Sequence, residues 1–199
     1  MDAVIIDSGG ANLASLQFAF ERLGAKTHVT ADAAEIGSAP RVILPGVGSA
    51  ADAMRRLRKS GIADLLPSLT QPVLGICLGM QLLFRRSEEG DTDCLGILPG
   101  TVERLQAVKG RPVPHMGWNQ LSPVREDPIL DGIASDGYVY FVHSFAVRVS
   151  DMTLASADYG IALSAVVRRG NFWGTQFHPE RSGPVGARLL ANFLKLARG

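Results

Sequence analysis

The sequence predicts an α/β fold, a single-domain three-layer α/β/α sandwich whose central sheet is mostly parallel and carries an antiparallel extension. Three observations predict it: β-rich runs alternate with helical patterns in the first half, closely spaced strands follow from about Thr101, and an apolar helical stripe closes the chain. The alternation reads AVIID then NLASLQFAFERLG, RVILPG then a helix through ADAMRRLRKSG, and PVLGIC then a helix through LGMQLLFRRSEE. Each pair is a strand followed by a crossover helix, which parallel strands require. In the first helix Leu13, Leu16, Phe20 and Leu23 recur at three- and four-residue steps, with Asn12 placed to cap the start and Gly24 to end it. The second half supplies TVERLQAV, YVYFVHSF, TLASAD, ALSAVVRR and FWGTQF, with RRGN as the turn signal before the last, and these are expected to extend the same sheet antiparallel. In VGARLLANFLKLARG, Val185, Leu189 and Phe193 mark one buried stripe ahead of a basic end.

Composition narrows the function classes. A chain of 199 residues, 46% hydrophobic, is near the upper end of what one core serves. Its 20 Lys and Arg against 19 Asp and Glu leave a formal charge of +1, so no general field draws nucleic acid or an anionic membrane, and a small substrate is expected. The start, MDAVIIDSGG, has an acid before a short apolar run rather than the basic start of a secretory signal, and no run nears the roughly 18 apolar residues of a membrane span. With Cys77 and Cys94 the only cysteines, a cytosolic chain with reduced thiols is expected over a disulfide framework.

A reactive thiol is then sought, and PVLGICLGMQLLF offers one. Cys77 stands between Gly75 and Gly79 where a buried strand meets a helix, the pattern of a nucleophile elbow with cysteine in place of serine. Such a turn brings backbone too close for a Cβ two residues to either side and thrusts the thiol into a cleft. A helix amino terminus also favours a thiolate. The Leu78 amide would face the oxygen of an attacked carbonyl as one oxyanion donor, and a second must come from another loop. Taken alone, Cys77 reads equally as a small buried core residue.

A thiol nucleophile needs a base, and the base needs a group that fixes its tautomer. GTQFHPE offers both: His178 ends a strand, Pro179 fixes φ, and Glu180 follows. Residues two apart in extended backbone point to the same side, so Glu180 can reach one imidazole nitrogen while the other faces Cys77. By itself HPE reads equally as a turn with a solvated glutamate; the elbow in the same chain lowers that weight.

Together GICLGMQLLF and QFHPE, with PGVG upstream, resemble the triad-type (class I) glutamine amidotransferases over nearly the whole chain, which implies one flavodoxin-like domain over residues 1–199. Within that family ANLASL, LPGVGSAADAM, GMQLLFRRSEEG, VPHMGWN, FVHSF and QFHPERSG look like the glutaminase subunits of imidazole glycerol phosphate synthases, VPHMGWN and FVHSF being the discriminating pair. The resemblance implies hydrolysis of L-glutamine through a thioester at Cys77, with no cofactor or metal. It also implies a heterodimer in which ammonia passes to a (β/α)₈-barrel cyclase subunit that forms imidazole glycerol phosphate and an aminoimidazole carboxamide ribotide in histidine biosynthesis.

Carried over by residue, the resemblance implies Cys77 as nucleophile, His178 as base and then acid, and Glu180 as orienter. It implies Val47, in the PGVG loop from Pro45 to Gly48, as the second oxyanion donor beside Leu78, on a peptide that Gly46 and Gly48 leave free to reorient when the cyclase binds its own substrate. For glutamine it implies Gly48, then Gln81 and Glu89 on the helix after the elbow, then His143, Ser144 and Phe145. Asn12, Trp118 and Arg181 are the implied partner contacts, and His115 is structural or interfacial. Departures from the family pattern are Ser8 for tyrosine, Ala11 before Asn12, Ala50 for phenylalanine, Phe145 for tyrosine, Arg181 for lysine and Cys94 for glycine. None touches the triad.

Three rivals remain. The glutaminases of pyridoxal phosphate synthase and anthranilate synthase share the fold, but VPHMGWN and FVHSF argue against both. A metal-dependent hydrolase using His115, His143 and His178 lacks a close two-histidine motif and leaves the elbow unexplained. A non-catalytic regulatory subunit would not need nucleophile, base and orienter in this order.

Overall fold

The computed structural model describes residues 1–9 and 13–197. β1 (Ala3–Ile6) leads through α1 (Leu13–Arg22), β2 (Thr27–Thr30) and α2 (Ala33–Ser38) to β3 (Val42–Gly46). After α3 (Ala50–Lys59) and the single turn α4 (Ile62–Leu65), β4 (Val73–Cys77) runs directly into α5 (Leu78–Leu83). Short strands follow: β5 (Phe84–Ser87), β6 (Thr92–Asp93), β7 (Leu98–Arg104), β8 (His115–Gln120), β9 (Ser122–Pro123), β10 (Tyr138–His143) and β11 (Phe145–Ala146). Then come β12 (Thr153–Asp158), β13 (Ala162–Arg169), β14 (Phe172–Thr175) and α6 (Gly183–Lys195).

The main sheet has the order β2-β1-β3-β4-β14-β13-β12-β9. Its first five strands are parallel and its last three antiparallel, so the mostly parallel sheet with an antiparallel extension is present. Both faces are covered, and β1 shows how. Ala3 and Ile5 point to a core built with Leu16 and Phe20 of α1 and Leu189, Leu190 and Phe193 of α6. Val4 and Ile6 point the other way, to Ile36 of α2 and Met54 and Leu57 of α3. A strand buried on both faces reads as a continuous apolar run, and AVII is one. Gly24, at φ +76°, follows α1 as expected. Asn12, its expected cap, lies outside the described residues.

Two expectations need correction. The helix after the elbow ends at Leu83 instead of running through Glu89. Phe84 turns extended, at ψ 172°, and Phe84–Ser87 pairs parallel with β7. Leu82, Leu83 and Phe84 are all buried, so this run has no periodicity to separate helix from strand, and a tertiary pairing decides it. Glu89 therefore sits in the turn after β5. Nor do all the later strands extend the main sheet. β7 joins β5, β6 and β11 in a four-stranded sheet, and β10 pairs with β8 in a separate ribbon. VPHMGWN, absent from the strands the sequence predicts, supplies that ribbon's β8 strand. Alternation marks a strand but does not name its partner.

Candidate active site

Three neighbouring parallel strands deliver the site. Gly46 at the end of β3 pairs with Cys77 at the end of β4, and β14, paired with β4 on its other side, runs on into Gln176 and His178. Ligand sites in such sheets lie beyond the carboxyl ends of the strands, and this one does. Cys77 has φ 54° and ψ −111°, a left-handed conformation that costs a non-glycine residue about 1–3 kcal/mol. The surrounding glycines make the turn possible. A Cβ on Gly79 would overlap the Leu44 carbonyl oxygen, one on Gly75 would stand 2.7 Å from the Gly79 carbonyl oxygen, and one on Gly46 would stand 2.8 Å from the Gly79 nitrogen. Gly46 is thus committed to close packing against the elbow. Gly48, at φ +89° with open space around it, is the glycine that leaves the loop conformational freedom.

His178 is buried beside the thiol, and its Nδ1 hydrogen-bonds Glu180 Oε1 at 2.9 Å, which leaves Nε2 for Cys77. Burial opposes a charge on this imidazole, but Cys77 and Glu180 together outweigh it and raise its pKa to about 10. The sulfur lies 3.9 Å from the Val142 carbonyl oxygen and 3.9 Å from Gln176 Nε2. Above it opens a cleft of about 410 Å³, within the usual range for small-molecule sites. Val47, Gly48, Leu78, Gln81, Glu89, His143, Ser144 and Phe145 all line it with Cys77 and His178. Glu89 reaches it from its turn, where Oε2 accepts from the Ala50 amide at 2.7 Å and so helps cap α3.

A second set of polar groups supports the cleft wall. The Phe145 carbonyl accepts from Gln81 Nε2 at 2.8 Å and from His143 Nδ1 at 2.9 Å. With Nδ1 donating, His143 Nε2 accepts from His115 Nδ1 at 3.0 Å, and His115 Nε2 accepts from Asn119 Nδ2 at 3.3 Å. His115 is also stacked between Phe141 and Tyr159, with centroids 4.7 and 3.9 Å away. Burial lowers His115 to about 4 and His143 to about 3. Both are therefore neutral in the fold, while in the unfolded chain they take up protons near pH 6.5. Their contribution to stability is complete above pH 6.5 and is lost as pH falls toward 4 and 3. The urea midpoint is expected to drop as pH falls below 6.5, His115 and His143 each adding a slope of up to about 1.4 kcal/mol per pH unit; a His115→Gln variant has a shallower fall. Identical profiles for the two proteins contradict this.

The whole chain can now be placed. Residues 4–197 match the glutamine amidotransferase class-I family. Over 196 residues, 98% of each chain, it is 54% identical to the imidazole glycerol phosphate synthase subunit HisH of Idiomarina loihiensis. The corresponding subunit of Xanthomonas euvesicatoria pv. vesicatoria is 53% identical over the same share. This chain belongs to the HisH branch of the class-I glutamine amidotransferases. Solved structures agree on the fold: a glutamine amidotransferase superposes with a TM-score of 0.76 at 22% identity over 98% of each chain. PurLQS of Thermotoga maritima gives 0.71 at 21% over 96% of each.

Elsewhere in this HisH-type chain the expected residues scatter. His115, expected as structural or interfacial, is buried, while Met116 and Trp118 on the same strand are exposed. Trp118 packs edge-on to Tyr140 at 6.0 Å, and the Arg181 guanidinium lies over the Tyr140 ring, 6.0 Å from its centroid. Ser8 is buried and donates its hydroxyl to the Pro45 carbonyl at 3.2 Å, steadying the loop that carries Val47. Ala50 is buried at the start of α3. Cys94 is a half-buried free thiol whose pKa burial raises to about 11. Asn12 and Ala11 lie outside the described residues. Among the described residues, no group of three His, Cys, Asp or Glu is placed to hold a metal ion, and no helix is long and apolar enough to cross a membrane.

Sequence reasoning missed Gln176 and Asn119. The signal for the first was only its place, two residues before His178 in the segment that leaves β14. Asn119 carried none, because nothing in VPHMGWN says that it caps a histidine pair.

Proposed function

We propose that this chain is the glutaminase subunit of an imidazole glycerol phosphate synthase, hydrolysing L-glutamine to glutamate and ammonia within one domain spanning residues 1–199. The observation that carries this reading is the elbow cysteine set against a His178–Glu180 pair at the foot of a cleft. The Cys77 sulfur attacks the δ-carbonyl carbon, and the carbonyl π electrons move onto oxygen, which the Leu78 and Val47 amides receive. As the tetrahedral species collapses, the C–N bond breaks, protonated His178 gives its proton to the leaving nitrogen, and a thioester remains. Water then loses a proton to His178 and attacks the thioester; the C–S bond breaks, and glutamate leaves. Glu180 holds the imidazole so that Nε2 serves both steps. Gln81, Glu89, Gly48 and the segment His143 to Phe145 hold the substrate.

The ammonia passes to a (β/α)₈-barrel cyclase subunit in a cytoplasmic heterodimer. Support for the docking face comes from the exposed Met116 and Trp118 and from Arg181 beside Tyr140, three residues past the base. Two free thiols fit a reducing compartment. A glutaminase assay with and without the cyclase and its nucleotide ligand tests the proposal. Weak activity alone and stimulation of up to about 100-fold in the complex are expected if the partner completes the oxyanion hole at Val47. Full activity in the isolated subunit, unchanged by the partner, overturns the switch.

A further inference from the structure

The hydrolysis leaves one buried amide without a role. Gln176 is completely buried and ends in a carboxamide that faces the nucleophile, with Nε2 3.9 Å from Cys77 Sγ and Oε1 3.0 Å from Gln81 Nε2. The orientation of both amides follows from one backbone atom. The Phe145 carbonyl can only accept, so the group 2.8 Å from it must be the Gln81 amino group. With Gln81 Nε2 thus fixed, the atom of Gln176 that meets it must be the oxygen, and the Gln176 amino group must turn toward the sulfur. Were Gln81 reversed, its carbonyl would face the Phe145 carbonyl without a proton between them; were Gln176 alone reversed, two amino groups would meet with no acceptor between them.

We infer that Gln176 is a positioning residue for the glutaminase reaction, donating an N–H to the Cys77 sulfur and holding Gln81 with its carbonyl free for the substrate. A donor at this place stabilises negative charge on sulfur, both before attack and as the thioester breaks. The Val142 carbonyl, 3.9 Å from the same sulfur, is an acceptor and suits only the protonated thiol. Gln176 is therefore the neutral group that favours the reactive form, alongside the charged His178. The Phe145 carbonyl that fixes this arrangement also orients His143, so one atom at the start of β11 sets two of the polar groups that line the cleft.

The inference rests on the glutaminase reading, and its test separates the two. Gln176→Met keeps the size and removes the donor. Gln176→Glu keeps the acceptor for Gln81 and sets a carboxylate toward the sulfur. Each is made in the complex with the cyclase and measured for kcat, KM for glutamine, thermal midpoint, and the rate at which iodoacetamide alkylates Cys77. The Met variant is expected to lose about 10-fold or more in kcat and a similar factor in alkylation rate, at nearly unchanged KM and with the fold retained. The Glu variant falls further. A kcat for Met within about 2-fold of the parent, or a Glu variant at least as active as Met, overturns the inference. So does a loss in both that only tracks the thermal midpoint. If the unaltered complex hydrolyses no glutamine, the function proposal fails, and the alkylation rates still decide the role of Gln176.

Discussion

Cys77→Ala is expected to abolish glutamine hydrolysis, lowering kcat by at least about 10³-fold, in a protein that still folds and still binds its partner. The sulfur is the atom that forms the thioester, and no neighbour can take its place: Gln176 and Val142 offer an amide and a carbonyl, and His178 is bound to Glu180. What remains after the substitution is binding in the cleft and the oxyanion donors. Alanine also inherits the left-handed backbone of residue 77, at φ 54°, so its strain persists. A Cys77→Gly variant is equally inactive but is expected to be more stable than Cys77→Ala by about 1 kcal/mol, because glycine adopts that φ without a Cβ penalty. Urea unfolding of the two variants measures this difference. Equal midpoints show that the elbow is not strained.

Gly79→Ala is expected to have the second large effect, and on stability rather than chemistry. Its Cβ would be driven into the Leu44 carbonyl, a backbone group held in the sheet by pairing with Gly75, so neither side can move cheaply. Overpacking of this kind costs about 3 kcal/mol or more. Any protein that does fold has its elbow displaced from β3 and should lose activity with its stability. Gly48→Ala is the contrast: its Cβ has open space, and its penalty comes only from φ +89°. Urea or thermal unfolding ranks the two. A Gly79→Ala protein of parental stability contradicts the packing described for the elbow.

Much of this was legible in the sequence because it is local. Gly75, Cys77 and Gly79 announce the elbow, since a sharp turn against backbone leaves only glycine at those places, and AVII and VLGIC announce doubly buried strands. Glu180 does meet His178 at 2.9 Å, but through a 3₁₀ turn at Pro179–Arg181 and not through the extended alternation expected, because Pro179 starts a helical turn there. What was not legible depends on distant segments. Phe84–Ser87 became a strand because β7 lies beside it, and an apolar LLF run has no period to give that away. β10, expected in the main sheet, instead forms a ribbon with β8, which puts His115 underneath and Trp118 outside. The bond between His115 and His143 joins residues 28 apart and follows from that pairing, so neither histidine signals it.

The most direct test of the account is to label the protein, in complex with the cyclase, with a glutamine analogue that carries an electrophile at the δ-position, and to locate the adduct by peptide mass spectrometry. The account predicts one adduct, on Cys77, suppressed by excess glutamine and absent from Cys77→Ala, with Cys94 unlabelled because burial keeps that thiol protonated near neutral pH. An adduct on Cys94 or on any other residue, or no glutamine-protected adduct at all, contradicts it.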